Sequence, residues 1–171
     1  MNLQGKKVAL FVAQMYDDRE FWYPYYRMKE AGAEVTVIGP RAEAFSGKAG
    51  LTVKADLGIA EAKPEDYHAL IIPGGYGPDH MRREPMMAEF VRRMHEAGRV
   101  VAAICHAGWM LASARIVQGK RITGFYSIKD DMVNAGAEWL DQEVVKDGNI
   151  ITSRNPDDLP AFCRTIIETL A

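Results

Sequence analysis

A chain of 171 residues, 48% hydrophobic and 26% charged, can build one core burying roughly 70% of its unfolded surface, so a single domain spanning residues 1–171 is expected. The balance of 21 basic against 23 acidic side chains leaves a net charge of -2, and no Lys/Arg cluster runs beside aromatic residues, which excludes a nucleic-acid or anionic-membrane footprint. Two cysteines, Cys105 and Cys163, exclude a disulfide framework; the apolar run of MNLQGKKVALFVA is too short for a secretory core or a membrane span, so the expected compartment is the reducing cytoplasm.

Short runs rich in Val and Ile alternate with amphipathic segments along the chain. The first run, Lys7–Ala13, reads as a strand buried on both faces. DDREFWYPYYRMKEAG then offers Asp17 or Asp18 as a helix cap, a helix to Ala31 and a stop at Gly32, with Pro24 placed to kink or interrupt it. A second strand is expected at Glu34–Gly39. FSGKAGLTVKAD, with turn glycines Gly47 and Gly50, reads as an antiparallel excursion. Ala69–Pro73 is the third buried strand, Pro85–Ala97 a helix with its stop at Gly98, and Arg99–Ile104 the fourth strand. A further helix should start directly after Cys105 and run through HAGWMLASA. SIKDDMVNAG reads as a short helix capped by Ser127, EVVKDGNIITS as a hairpin over Asp147-Gly148, and DDLPAFCRTIIETL as the closing helix, beginning between Pro156 and Pro160. Strands of this kind belong to a parallel sheet. The expected fold is an α/β doubly wound, mostly parallel sheet flanked by helices, a flavodoxin-like sandwich with added β-ribbons, whose site lies at the carboxyl ends of the strands.

Cys105 stands at one of those ends, on a strand-to-helix elbow where helix N–H groups and dipole favour a thiolate. Position alone leaves a reactive nucleophile and a packed structural cysteine about equally supported, because free cysteine is among the most buried residue types. His106 follows directly; a surface imidazole in a first helical turn is the plainer reading. Adjacent Cys and His do not make a metal spacing, and His68, His80 and His95 form no ligand pair, so no metal is expected. In IIPGGYGPDHMR, Gly74 and Gly75 let backbone N–H groups face a developing oxyanion. That turn lacks the lysine of a phosphate loop and the GxGxxG of a dinucleotide site. Glu20, followed by FWYP, would have a raised pKa if buried among aromatics, and is otherwise a solvated acid of the first helical turn.

Together, YDDREFWYPYYRMKEAGAEV, LIIPGGYGPDHMR, VVAAICHAGWMLASA, IKDDMVNAGAEWLDQEVVKDGNIITSR and PDDLPAFCR closely resemble the PfpI-type intracellular protease family of the class I glutamine-amidotransferase-like superfamily, in order and over almost the whole chain. The resemblance implies Cys105 as nucleophile and His106 as its imidazole, with Glu20 as the acid beside the sulfur and Gly75 and the His106 backbone N–H as oxyanion donors. Asp17, one helical turn before Glu20, is the lesser candidate for that acid. An acid from a neighbouring subunit orients the imidazole in this family, and the matching position is Asp79, where close relatives can carry the longer glutamate. Where family members commonly follow Cys-His with glycine and often proline, this chain has Ala107, Gly108 and Trp109.

The chemistry implied is thiolate attack on an electrophilic carbonyl, either peptide hydrolysis or repair of dicarbonyl adducts and hydration of methylglyoxal-like aldehydes, with no cofactor. The implied partners are a small carbonyl or peptide substrate and further copies of the chain, in a dimer or larger ring that completes the site. The alternative is a stress-response or redox-sensing protein in which Cys105 oxidises to the sulfinate beside Glu20.

Overall fold

The Val/Ile-rich runs carry apolar side chains on both faces, which only a sheet covered on both sides can bury. In the computed structural model, which describes residues 2–171, strand β1 (Lys7–Phe11) leads into helix α1 (Asp18–Glu30) and strand β2 (Glu34–Gly39). The hairpin of β3 (Ala44–Ser46) and β4 (Thr52–Lys54) follows, and then the short edge strand β5 (Leu57–Gly58). Strand β6 (Ala69–Ile72), helices α2 (Gly77–Met81) and α3 (Pro85–Glu96), and strand β7 (Val100–Ile104) make the middle of the chain. Beyond it lie α4 (Gly108–Ser113), β8 (Arg121–Ile122), α5 (Lys129–Asn134) and β9 (Glu138–Trp139). A hairpin of β10 (Val145–Asp147) and β11 (Ile150–Ser153) precedes the closing helix α6 (Leu159–Leu170).

Seven strands form one sheet in the order β10-β11-β7-β6-β1-β2-β5. Every neighbouring pair is parallel except β10 with β11. On one face, Phe21, Met28, Phe162 and Ile166 of α1 and α6 pack on Val8, Leu10, Ile71 and Ile104. On the other, Phe90, Met94, Met110 and Leu111 of α3 and α4 pack on Phe11, Leu70, Ile72 and Val101. This is the expected doubly wound sandwich, and its chain order reverses between β1 and β6, where open α/β sheets place their sites. No helix among the described residues is long and apolar enough to cross a membrane.

Three local expectations change. Pro24 lies inside α1 without ending it; the ring removes only the amide that would bond the Glu20 carbonyl, and packing of the buried face holds the helix through that gap. The segment after Cys105 begins as a three-residue 3-10 turn, Cys105–Ala107, before α4 starts at Gly108. Ser127 does not cap α5: it lies in the 3-10 turn Tyr126–Ile128, and α5 starts after Ile128 with no side-chain cap.

Candidate active site

Three loops meet at the carboxyl ends of β1, β6 and β7. Tyr16 bridges Gly75, with Asp17 N donating to Gly74 O at 3.1 Å and Tyr76 N to Met15 O at 2.9 Å. Cys105, the first residue after β7, has φ 61. A non-glycine residue held in the left-handed region costs about 1–2 kcal/mol, and such strain gathers at sites where a side chain must be presented. Gly74 leaves the room this needs, since a Cβ there would lie 2.6 Å from Glu20 Oε2 and 2.8 Å from Cys105 Cβ.

Glu20 is completely buried. Its Oε2 accepts the Gly74 N–H at 2.7 Å, Oε1 has no hydrogen-bond partner among the described residues, and the Cys105 thiol lies beside the carboxyl. Burial, helped by the charge of Asp17, raises this carboxyl to about 7; the Gly74 N–H, the Cys105 thiol and the Lys48 ammonium pull the other way. Burial also pushes the Cys105 thiol up, and an ionised Glu20 pushes it further, against the pull of the His106 and Gly75 backbone N–H groups. A thiol lowered by a helix N-terminus, as expected from sequence, is therefore not what the fold provides. The turn behind the sulfur is a single 3-10 turn, Cys105 is 8% exposed, and a carboxyl shares its pocket. Asp17 is not a second acid at the sulfur: its oxygens accept from Arg19 N and Glu20 N at the start of α1 and pair with the Arg19 guanidinium at 3.1 Å.

His106 Nδ1 lies 3.3 Å from Cys105 Sγ, and Nε2 lies 3.2 Å from Ser127 Oγ. The ring stacks on Phe125 at 4.9 Å and meets the edge of Trp109 at 5.2 Å. Burial, with a smaller effect from Lys48, lowers its pKa and so favours the neutral ring. The Trp109 indole N–H donates to Asp131 Oδ2 at 2.8 Å. The backbone N–H groups of Gly75 and His106 both address the sulfur. Asp79 sits on α2, half exposed and paired with Arg83; within one chain it does not join this group.

Sequence reasoning missed Ser127, Lys48 and Asp18. Asp18 is buried and accepts Ala49 N at 2.7 Å and Leu51 N at 3.0 Å, which ties the β3–β4 turn to the start of α1. That turn carries Lys48 to 3.8 Å from Asp17. The available signal was the Asp17-Asp18 pair itself: one acid caps the helix and the other is left to hold something else. For Ser127 and Lys48 no local signal exists.

The chain has clear relatives in sequence and in fold among known proteins. The chain is 42% identical over 164 residues to "Deglycase PYRAB04690" of Pyrococcus abyssi, covering 96% of this chain and 99% of that one. It is 41% identical over the same length to "Deglycase PfpI" of Pyrococcus furiosus, again covering 96% and 99%. Among solved structures, a two-domain protein of Anabaena variabilis with DJ-1/ThiJ/PfpI-like and ferritin-like domains superposes with a TM-score of 0.95 at 45% identity, over 96% of this chain and 48% of that longer one. Residues 6–169 match the DJ-1/PfpI family, and it is to this family that the chain belongs.

Proposed function

We propose that the chain is a cysteine enzyme acting on small electrophilic carbonyls, with α-oxo aldehydes and their adducts on amino or thiol groups as the substrate class. The observation that carries this reading is the Cys105 sulfur set between two proton-carrying groups, His106 Nδ1 at 3.3 Å and a Glu20 carboxyl held at about 7. His106 takes the thiol proton while the sulfur electron pair attacks the aldehyde carbon, and the oxyanion forms where the Gly75 and His106 N–H groups point. The product is a hemithioacetal. Glu20, near its midpoint at neutral pH, moves a proton from the former aldehyde carbon to the adjacent carbonyl carbon, leaving a thioester that water cleaves. Net, the aldehyde is oxidised and the neighbouring carbonyl reduced within one molecule, so the balance requires only water.

The low exposure of Cys105 favours a small planar carbonyl over a peptide, whose flanking residues must also reach the sulfur. Incubation with methylglyoxal should yield lactate, and Cys105→Ala should lower turnover by at least about a thousandfold. Equal turnover by that variant would end this reading. Absence of turnover in the wild type, with Cys105 sulfinate accumulating under mild peroxide, would transfer the site to redox sensing.

A further inference from the structure

Both ring nitrogens of His106 are engaged inside a single chain, one on the reacting sulfur and the other on Ser127. The second contact is built by the backbone. Phe125 N donates to the carbonyl of Cys105 at 3.1 Å and Ile128 N to Phe125 O at 3.1 Å. Gly124 approaches the elbow so closely that a Cβ would sit 3.1 Å from the Cys105 oxygen. The 3-10 turn Tyr126–Ile128 is thus clipped to the nucleophile's own peptide, and it delivers the Ser127 hydroxyl to the far side of the imidazole. Phe125, from the same turn, stacks on the ring face. Ser127 is free for this because α5 makes no use of it as a cap.

We propose that Ser127 is the main positioning residue of His106, fixing the direction and tautomer of the ring from its own chain, beside any acid that a neighbouring subunit adds. This inference rests on the cysteine chemistry above. A hydroxyl both donates and accepts, whereas a carboxylate only accepts. With the thiol donating to Nδ1, Nε2–H donates to Ser127 Oγ, and the ring waits in the tautomer that can receive the proton. When the S–H bond breaks and Nδ1–H forms, sulfur keeps the electron pair, and the neutral hydroxyl adds no countercharge to the new imidazolium. The proton therefore passes on to the oxyanion rather than resting on the ring. An acid at the same place would stabilise the imidazolium instead.

Other groups set the background for that titration. Cys105 is on Nδ1, Glu20 lies beyond the sulfur, and Lys48 on the β3–β4 turn disfavours a second positive charge. Behind Trp109 stand Asp131, on the indole N–H, and Arg82, 5.6 Å from the ring. Asp79 is paired with Arg83, two residues beyond the end of its helix.

The test is a variant series read by turnover and by 15N NMR of the imidazole. Ser127→Ala should lower kcat about tenfold with little change in KM, and Ser127→Thr, which keeps the hydroxyl, should recover most of it. Nitrogen shifts should report a dominant Nε2–H tautomer in the wild type that becomes mixed in Ser127→Ala. Ser127→Asp should raise the His106 pKa by about one pH unit or more. The proposal is overturned if Ser127→Ala leaves both kcat and tautomer as in the wild type, or if Asp79→Asn costs more kcat than Ser127→Ala. Because the tautomer is read without substrate, a chain inactive on carbonyls but with the expected nitrogen shifts would count against the cysteine reading and not against the Ser127 contact.

Discussion

Gly75→Ala is expected to destabilise the fold by more than about 4 kcal/mol, while Gly98→Ala, at nearly the same backbone angle, should cost about 1 kcal/mol. The two glycines have φ +74 and +70, so the left-handed penalty is common to both. What separates them is space. A Cβ on Gly98 meets nothing within 4 Å, whereas one on Gly75 would lie 2.5 Å from Asp17 N and 2.8 Å from Met15 O. Those atoms are backbone and cannot step aside without opening the bridge between Tyr16 and Gly75. Opening it would also move Asp17, which caps α1, and with it Glu20. Urea denaturation of the two variants decides the matter: equal losses would mean that the loops cross less tightly than the geometry requires.

The parts of this fold that could be read in the sequence are those whose cause is local. Burial on both faces makes Ala69–Ile72 and Val100–Ile104 strands wherever they sit, and Asp17 and Gly32 mark the ends of α1 through groups within a few residues. The elbow at Cys105 was legible for the same reason, as an apolar run ending in a cysteine and a helix start. The contacts that tune the site are not local. Ser127 reaches His106 from 21 residues away, and Asp18 holds backbone amides 31 and 33 residues on, so no spacing rule could find them. Gly47 was visible as a turn glycine, yet its second task was not: a Cβ there would fall 2.4 Å from the Asp18 carboxylate. Helix α2 is hard to see in the sequence because Gly-Tyr-Gly-Pro also signals a turn, although Pro78 is well suited to a first helical turn. The direction of the Cys105 shift is not legible because it depends first on burial and then on a carboxyl 85 residues earlier in the chain, both of which only the fold supplies.

That carboxyl carries the second large effect. An acid whose folded pKa is raised from 4.5 to about 7 favours the native state below pH 4.5, where both states are protonated, and loses that advantage as pH rises. Between 4.5 and about 7 the unfolded chain gives up the proton while the native chain keeps it, so stability falls; above that window both are ionised and the loss is complete. At about 1.4 kcal/mol per pH unit, Glu20 should cost the wild type about 3 kcal/mol across the window. Glu20→Gln, which keeps an oxygen for the Gly74 N–H, should be free of that slope and become the more stable protein above pH 7. The same pair governs reactivity. Glu20 and Cys105 are close enough that the first proton leaves the pair rather than either group, and its apparent constant is the sum of the two microscopic ones. Alkylation of Cys105 by iodoacetamide should therefore rise through about 7 to a plateau in the wild type. In Glu20→Gln only the thiol remains to ionise, so the midpoint moves higher and the rate climbs further at alkaline pH. Cys163, fully buried on α6 and pushed up to about 12 by burial, should stay unlabelled throughout and serves as the internal reference. A wild-type alkylation profile identical to that of Glu20→Gln, or parallel stability curves from pH 4 to pH 9, would show that Glu20 does not share its proton with the sulfur.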